Sequence, residues 1–367
     1  MSENSRLLSR QIIESLRKGN VPSYGASHFY HCKLTIRRII DEDLGFVKSG
    51  GYSTKFFCGR YGSGKTLTLG IIRDKGLDLK FATSFLTLDP RATTFHKLEV
   101  VYRAILDTLS IRIDGEIKES GEAVNSILYH CCREFQLRRS KPVFSETPGL
   151  SDILRVFAEK ATLRPHIVEW LMGAGHIPFT VKRRFNVKGD IDRQSCMNFL
   201  KAFCRILVMI GYSGLILLLD EAESIMSLRT KVSRDVAYDN MRNLIDNRYR
   251  MRNLYIAFGG TPEFFSNQER GIPSFQPLNE RISHYWKKIK RSYRSPILML
   301  YPPEIRDYFL ILRKINSIYC KAYDDSIYLA DDIIHKYLKT SLSEDTTPRE
   351  VIRGLIAYLD QRAEQML

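Results

Sequence analysis

The chain has 367 residues, 44% of them hydrophobic and 26% charged, an ordinary globular composition with room for one large α/β unit and a smaller module. A net charge of +15 creates a field that attracts polyanions, so nucleic acid is an expected partner. No apolar run approaches the ~20 residues that a membrane span needs, the first residues carry no signal-peptide core, and seven scattered cysteines, an odd number, argue against a disulfide framework. A reduced, cytoplasmic setting without membrane attachment is therefore expected.

In chain order, Leu7, Leu8, Ile12, Ile13 and Leu16 mark an amphipathic helix that stops before Gly19. A second helix is predicted over about 33–43 and a first strand over about 53–58. The helix after that strand follows a glycine-rich loop. Residues 81–88 form a second strand ending at Asp89-Pro90. Leu98, Val101, Ile105 and Leu109 fall at helical spacing, and residues 95–135 are expected to be helical. Breakers at Ser140-Lys141-Pro142, Pro148-Gly149 and Gly173 identify 136–195 as a partly helical insertion. A helix over about 194–210 leads back to three more strands. These are Leu215–Leu219, Leu254–Phe258 and Ile297–Leu300, continuous apolar runs of the kind buried on both faces of a parallel sheet. Strands alternating with helices imply a doubly wound α/β fold. Residues 304–367 are predicted to be helices only. Three segments result: 1–50, a core over 51–302 carrying the insertion, and 303–367.

The residues that carry chemistry begin at 59–66, Gly-Arg-Tyr-Gly-Ser-Gly-Lys-Thr. This is G-x-x-x-x-G-K-T, a phosphate-binding loop in its required strand–loop–helix setting. Glycines let backbone N–H groups approach a phosphate, the lysine reaches the β/γ oxygens and the threonine offers a hydroxyl to Mg²⁺. Gly59, Tyr61, Gly62, Ser63, Gly64, Lys65, Thr66 and Leu67 are the candidate ATP contacts. Asp220 and Glu221 end the buried leucine strand, and carboxylates there point into the crevice where open α/β sheets bind ligands. Asp220, with Thr66, is the candidate Mg²⁺ ligand. Glu221 is the candidate that orients the attacking water, with Glu223 as its competitor. Thr261, after the next strand, would bring a hydroxyl to the same crevice. Arg281 is a candidate finger acting in trans on a neighbouring subunit, in competition with Arg270, Arg291 and Arg294. Arg349 follows a helix start at Thr347-Pro348 and, ahead of Arg353, is the candidate to reach the phosphates.

Residues 281–294 hold Lys287, Lys288, Lys290, Arg291 and Arg294 interleaved with Tyr285, Trp286 and Tyr293, and no acid. Basic groups neutralise phosphates and aromatics stack on exposed bases, so this stretch is a candidate DNA surface. The alternative is that Trp286 and Ile289 belong to the core beneath a solvated basic face. Lys182-Arg183-Arg184 and the series Arg242, Arg248, Arg250, Arg252 carry the same two readings.

The phosphate loop, Asp220-Glu221, Thr261, Arg281 and Arg349 in that order resemble an AAA+ ATPase with a helical lid, nearest the origin-recognition branch. More narrowly, the chain resembles the ATP-binding proteins of bacteriophage-exclusion (BREX) systems, BrxD type. The resemblance covers Gln11–Pro22, Gly59–Thr66, Gly214–Glu223, Phe258–Phe265 and Gly271–Phe275. It implies an AAA+ core with a five-stranded parallel sheet in the order 5-1-4-3-2 and ATP with Mg²⁺. It also implies a place in antiphage defence beside helicase or DNA-modifying methyltransferase components, with the chain as a homo-oligomer if Arg281 acts in trans. Two departures matter. Such proteins often carry Val-Gly-Arg where Tyr30-His31-Cys32 stands here, which leaves the adenine contacts open. Origin-recognition proteins also append a winged-helix domain, so DNA contact is expected from the core surface or the insertion. An ATP-hydrolysing motor or switch, a non-hydrolysing nucleotide-gated adaptor and a small-molecule kinase are the competing functions.

Overall fold

In the computed structural model, the described residues are 3–30, 33–138, 144, 146–147, 149–287, 294–323, 327–343 and 346–365, with the side chains of 3, 4, 135–138 and 287 outside that description. The elements, in order, are α1 Glu3–Arg17, α2 Ala26–Phe29, α3 Leu34–Lys48, β1 Tyr52–Cys58, α4 Lys65–Asp78, β2 Phe81–Thr87, α5 Leu98–Asp107, β3 Leu109–Ile113, β4 Glu116–Glu119 and α6 Ser120–Arg138. Then come α7 Leu150–Glu159, α8 Arg164–Leu171, α9 Phe179–Arg184, α10 Cys196–Met209, β5 Gly214–Asp220, α11 Lys231–Ile245, β6 Leu254–Gly260, α12 Pro262–Ser266, α13 Gln276–Lys287 and β7 Ile297–Met299. The chain closes with α14 Ile305–Ala322, α15 Asp331–Ser341 and α16 Pro348–Glu364.

Contacts divide the chain into two units. One comprises Met1–Arg37, Cys58–Lys75 and Met299–Leu367, and the other Arg38–Phe57 and Gly76–Leu298.

The second unit holds nearly all of the sheet. Among the described residues it has seven strands in the order β4-β3-β2-β5-β6-β1-β7. β2 runs parallel to β5 over Phe81↔Gly214 to Thr87↔Asp220, and β5 runs parallel to β6 over Leu215↔Leu254 to Leu219↔Phe258. Every residue of β5 and β6 is buried, as their uninterrupted apolar runs require in a sheet covered on both faces.

This corrects the expected five-stranded, all-parallel sheet: the sheet is mixed, and a hairpin enlarges it at the β2 edge. β3 pairs antiparallel with β2, and β4 antiparallel with β3. The hairpin interrupts the helix expected over 95–135. Helical spacing from Leu98 to Leu109 hides a switch of period, because Leu109-Ser-Ile-Arg-Ile113 alternates along a strand. Asp114 and Gly115, both with positive φ (50° and 87°), then make the tight turn that Asp-Gly favours between strands. The other five strands lie in the order β2-β5-β6-β1-β7. The insertion is helical at α7, α8 and α9, with Trp170 of α8 packed edge-on against Phe199 of α10, ring centroids 5.5 Å apart.

The first unit is built on helices. Ile12, Ile13 and Leu16 of α1 share one buried cluster with Leu312 and Ile315 of α14 and with Leu355, Ile356 and Leu359 of α16. Burying such side chains contributes roughly 1.5–3 kcal/mol each. A polar clasp reinforces the cluster: Arg17 donates to both carboxylate oxygens of Asp360 at 3.0 and 2.8 Å, and the Tyr319 hydroxyl donates to Asp360 at 2.7 Å.

Candidate functional site

The glycine-rich loop belongs to the first unit. It leaves β1 at Cys58 and enters α4 at Lys65. Gly62 and Gly64 take φ of 80° and 84°, the left-handed region that residues with a Cβ avoid. Space is as tight as the backbone. A Cβ on Gly59 would meet Ser63 Oγ at 2.1 Å, one on Gly64 the Tyr30 hydroxyl at 2.0 Å, and one on Gly62 the Pro348 ring at 3.2 Å. The loop is therefore walled by the segment before α3 and by the start of α16, partners far away in sequence.

Lys65 is buried, 8% exposed. Its ammonium donates to Gly59 O at 2.9 Å and Arg60 O at 3.3 Å and lies 5.0 Å from the centre of the exposed Tyr61 ring. A desolvated cation whose hydrogen bonds go to its own loop's carbonyls is suited to an anionic ligand. The Ser63 Oγ and the Thr68 hydroxyl are buried with no hydrogen-bond partner, polar atoms that a ligand could engage. Both residues line a narrow cavity of about 30 Å³ with Tyr30, Ile36, Leu300 and Tyr301, room for about one water as it stands. Thr66 and Leu67 are half-buried on the first turn of α4, and Leu67 packs against the helical cluster.

Arg349 also belongs to the first unit. α16 begins with a reciprocal cap in which Thr347 N donates to Glu350 at 2.7 Å and Glu350 N donates to Thr347 Oγ1 at 3.3 Å, with Pro348 in the first turn. Arg349 and Arg353 do share a side, since their stems flank Gly19 within 3.2 and 3.0 Å of where its Cβ would stand.

Asp220, Glu221, Thr261 and Arg281 lie in the second unit. Parallel β5 and β6 end at the same rim and bring Asp220, Glu221 and Thr261 to it. Asp220 is 3% exposed; its main-chain oxygen accepts from Leu88 N and its carboxylate from Glu221 N, both at 3.0 Å. Glu221 is exposed and adopts φ 56°, ψ 44°, a left-handed conformation that is uncommon for a residue with a side chain. Such strain clusters at functional positions. Thr261 is buried and caps α12 by position, yet its hydroxyl makes no cap bond. The Glu223 carboxylate approaches the end of β6, 3.8 Å from where a Cβ on Gly260 would be.

Arg281 is engaged within its own chain. Its Nε donates to both oxygens of Asp246 at 2.9 and 3.0 Å, and its Nη1 donates to Pro277 O at 2.7 Å. The hydrogen bond to Asp246, then its charge, raises the guanidinium pKa. Of its competitors, Arg270 donates to Leu228 O at 3.0 Å, Arg294 is exposed and Arg291 lies outside the described residues. Of the basic stretch, Lys288 and Lys290 also lie outside them, as does the side chain of Lys287. Trp286 stacks on Phe265 at 5.1 Å, which favours its reading as a packed residue. Lys182 is no free basic group: it is buried and pairs with Asp190 at 2.7 Å.

Sequence reasoning missed Tyr30 and Pro348 as walls of the loop. No local signal could find them, because their closeness to Gly64 and Gly62 is made by folding. Among the described residues no group of three or more His, Cys, Asp or Glu is placed to hold a metal ion, and no helix is long and apolar enough to cross a membrane.

The protein is thus of α/β class, with a glycine-rich loop around a buried lysine at the tip of a sheet strand. The family model described as "BREX system ATP-binding protein BrxC/D" matches residues 5–139 and 150–366, and the chain belongs to that family. Comparison with curated proteins finds no match.

Proposed function

We propose that this protein is an Mg²⁺-dependent ATPase of AAA+ type that acts on or near DNA in BREX-type antiphage defence. The observation that carries the reading is the loop: two left-handed glycines around a buried lysine whose ammonium donates to the loop carbonyls of Gly59 and Arg60. The family's description as ATP-binding supports it. So does the strand order, since β1, β2, β5, β6 and β7, counted among themselves, run 5-1-4-3-2 across the sheet.

In this reading the amides of Gly59–Thr66 hold the triphosphate, Lys65 binds the β/γ oxygens, and Tyr61, Ser63 and Leu67 complete the nucleotide contacts. Thr66 and Asp220 are the residues that would hold Mg²⁺; the acidic, buried Asp220 suits a hard cation, which when bound would offset phosphate charge. Glu221, exposed at the tip of β5, takes a proton from the attacking water, and the Thr261 hydroxyl orients it. Arg349 reaches the phosphates from the helical lid, and Arg281 serves a neighbouring subunit of a homo-oligomer. Helicase or methyltransferase components of the defence system are the proposed protein partners.

One observation favours a second reading, a non-hydrolysing nucleotide-gated adaptor: Arg281 is committed to Asp246. Phosphate release by purified protein with ATP and Mg²⁺, beside the Glu221→Gln variant, separates the two. Turnover at least ~10²-fold faster than the variant supports hydrolysis. A wild type no faster than the variant leaves the adaptor, and a protein that retains no ATP overturns both.

A further inference from the structure

Between α11 and β6 the chain makes a loop, residues 247–253, of sequence Asn-Arg-Tyr-Arg-Met-Arg-Asn. It is held more firmly than its length requires. Asn247 Nδ2 donates to Met251 O at 3.0 Å and Met251 N donates back to Asn247 Oδ1 at 2.7 Å. Asn253 Nδ2 donates to Val47 O at 3.1 Å and Ser213 O at 3.2 Å, and Asn253 N donates to Gly51 O at 2.8 Å. Met251 is buried as an anchor.

Three of the seven residues take left-handed backbone: Asn247 at φ 46°, Arg250 at 51° and Asn253 at 53°. Asparagine tolerates this conformation, but arginine does so rarely. A loop that merely turned the chain would be more stable with glycine at 250.

What the loop presents is charge. Arg248, Arg250 and Arg252 are all exposed, and among the described residues no carboxylate pairs with any of them. The segment contains no acid, and the adjoining Asp246 is occupied by Arg281. Three other basic residues of this unit are neutralised locally: Arg242 by Asp239, Lys182 by Asp190 and Arg112 by Asp78. Two more exposed lysines flank the loop. Lys48 lies beside Asn253, which donates to its carbonyl at 3.4 Å, and Lys80 accepts at its carbonyl from Ser213 N at 2.7 Å. All of this sits where β5 and β6 begin, at the opposite end of the strands from Asp220 and Thr261, about 20 Å away at ~3.3 Å per residue.

We propose that the loop of Arg248, Arg250 and Arg252, flanked by Lys48 and Lys80, is a docking surface for the phosphate backbone of duplex DNA. The proposal rests on the DNA half of the reading above and assigns it to this rim rather than to the stretch 281–294. Guanidinium forks match phosphate geometry, and a pre-ordered loop spends little further entropy on binding. The occupant is a duplex rather than a single strand because a single exposed ring, Phe46 near Lys48, and the half-exposed Tyr249 form no series of platforms on which successive bases would stack. It is not a lipid surface, because the loop itself exposes no apolar side chain and the exposed Phe46 near Lys48 is one ring, too little to anchor a protein in a bilayer interface.

The test is anisotropy of a labelled 30-bp duplex against the full chain over 50–200 mM KCl, for wild type, the triple variant Arg248→Ala/Arg250→Ala/Arg252→Ala, and Lys287→Ala/Lys288→Ala/Lys290→Ala. The expected result is a fall of about 10²-fold in affinity for the arginine variant at 100 mM. The slope of log affinity against log salt should become shallower by about 2.7, the release expected for three phosphate contacts. ATP binding and the unfolding midpoint should be unchanged. If wild type binds duplex and the arginine variant binds equally well, the assignment to this loop is wrong while the wider DNA reading stands. If wild type binds no duplex at 50 mM, both fall. If polyglutamate of equal charge competes as well as duplex, the partner is an acidic protein and the assignment to phosphates is overturned.

Discussion

The Tyr30 hydroxyl fills the space in which a side chain on Gly64 would begin: a Cβ built there lies 2.0 Å from the phenolic oxygen and 2.7 Å from Cζ. Gly64 is also left-handed at φ 84°. Gly64→Ala is therefore expected to suffer twice, by collision and by backbone strain of roughly 1–2 kcal/mol. Its affinity for a fluorescent ATP analogue should fall more than ~10-fold. Tyr30→Ala in the same chain should restore part of the loss, because it removes the collision and leaves the strain. An unchanged affinity in Gly64→Ala would show that the loop does not hold the phosphates in this conformation.

Lys65 and Glu221 should separate binding from turnover. Lys65→Met removes the only ammonium described in the loop, and nucleotide affinity should drop at least ~10²-fold. Glu221→Gln keeps the volume and removes the proposed base, so affinity should persist while phosphate release slows by ~10² or more. Titration calorimetry beside a phosphate assay reads both quantities. Equal loss of binding in the two variants would refute the division of roles.

The Arg281–Asp246 pair makes a claim about assembly. If Arg281 serves a neighbouring subunit, Arg281→Ala should lower turnover by roughly 10³ without changing nucleotide affinity. Mixing it with Lys65→Met protein should recover activity, because intact sites then form at mixed interfaces. Asp246→Asn should free the guanidinium and leave turnover intact or raised. A strictly monomeric protein with full activity, by mass in solution, removes the finger role.

The clasp between α1 and α16 predicts an acid sensitivity. Burial pushes the Asp360 carboxyl up, but the Arg17 guanidinium and the Tyr319 hydroxyl outweigh it, so the pKa lies below its ordinary value. Glu14 is likewise lowered by the Tyr323 hydroxyl and then by Arg17. A carboxylate with a depressed folded pKa stabilises the fold above the unfolded value, near ~4, and that contribution disappears as pH falls through the folded value. Asp360→Asn should thus destabilise by about 1–2 kcal/mol at pH 7, a modest figure because the pair is partly solvated. The gap to wild type should close below about pH 4. Thermal unfolding from pH 7 to pH 2 checks it; a constant gap would mean that the charge of Asp360 is irrelevant.

Much of this was legible because its causes are local. Gly62 and Gly64 announce a backbone that other residues avoid, and Leu215–Leu219 announces a strand buried on both faces. The cap at Thr347-Pro348 announces the start of α16. The hairpin was equally local, marked by Asp114-Gly115 between alternating strands, and was lost because Leu98, Val101, Ile105 and Leu109 keep helical spacing across the end of α5. Charge was the least legible property. Lys182 looked like part of a basic patch and proves to be buried against Asp190, while Arg248, Arg250 and Arg252 keep their charges exposed.

Sequence by itself determined the glycine loop, the buried parallel strands, the closing helices and the acidic strand tip at Asp220-Glu221, because dihedral preference and hydrophobic period act over a few residues. Tertiary structure alone decided that Tyr30 and Pro348 wall the loop, that Asp246 holds Arg281 and that a hairpin extends the sheet edge. Each of these unites residues far apart in the chain or places an element against a distant neighbour. Such unions are settled by packing and desolvation across the whole fold, which no short window of residues contains.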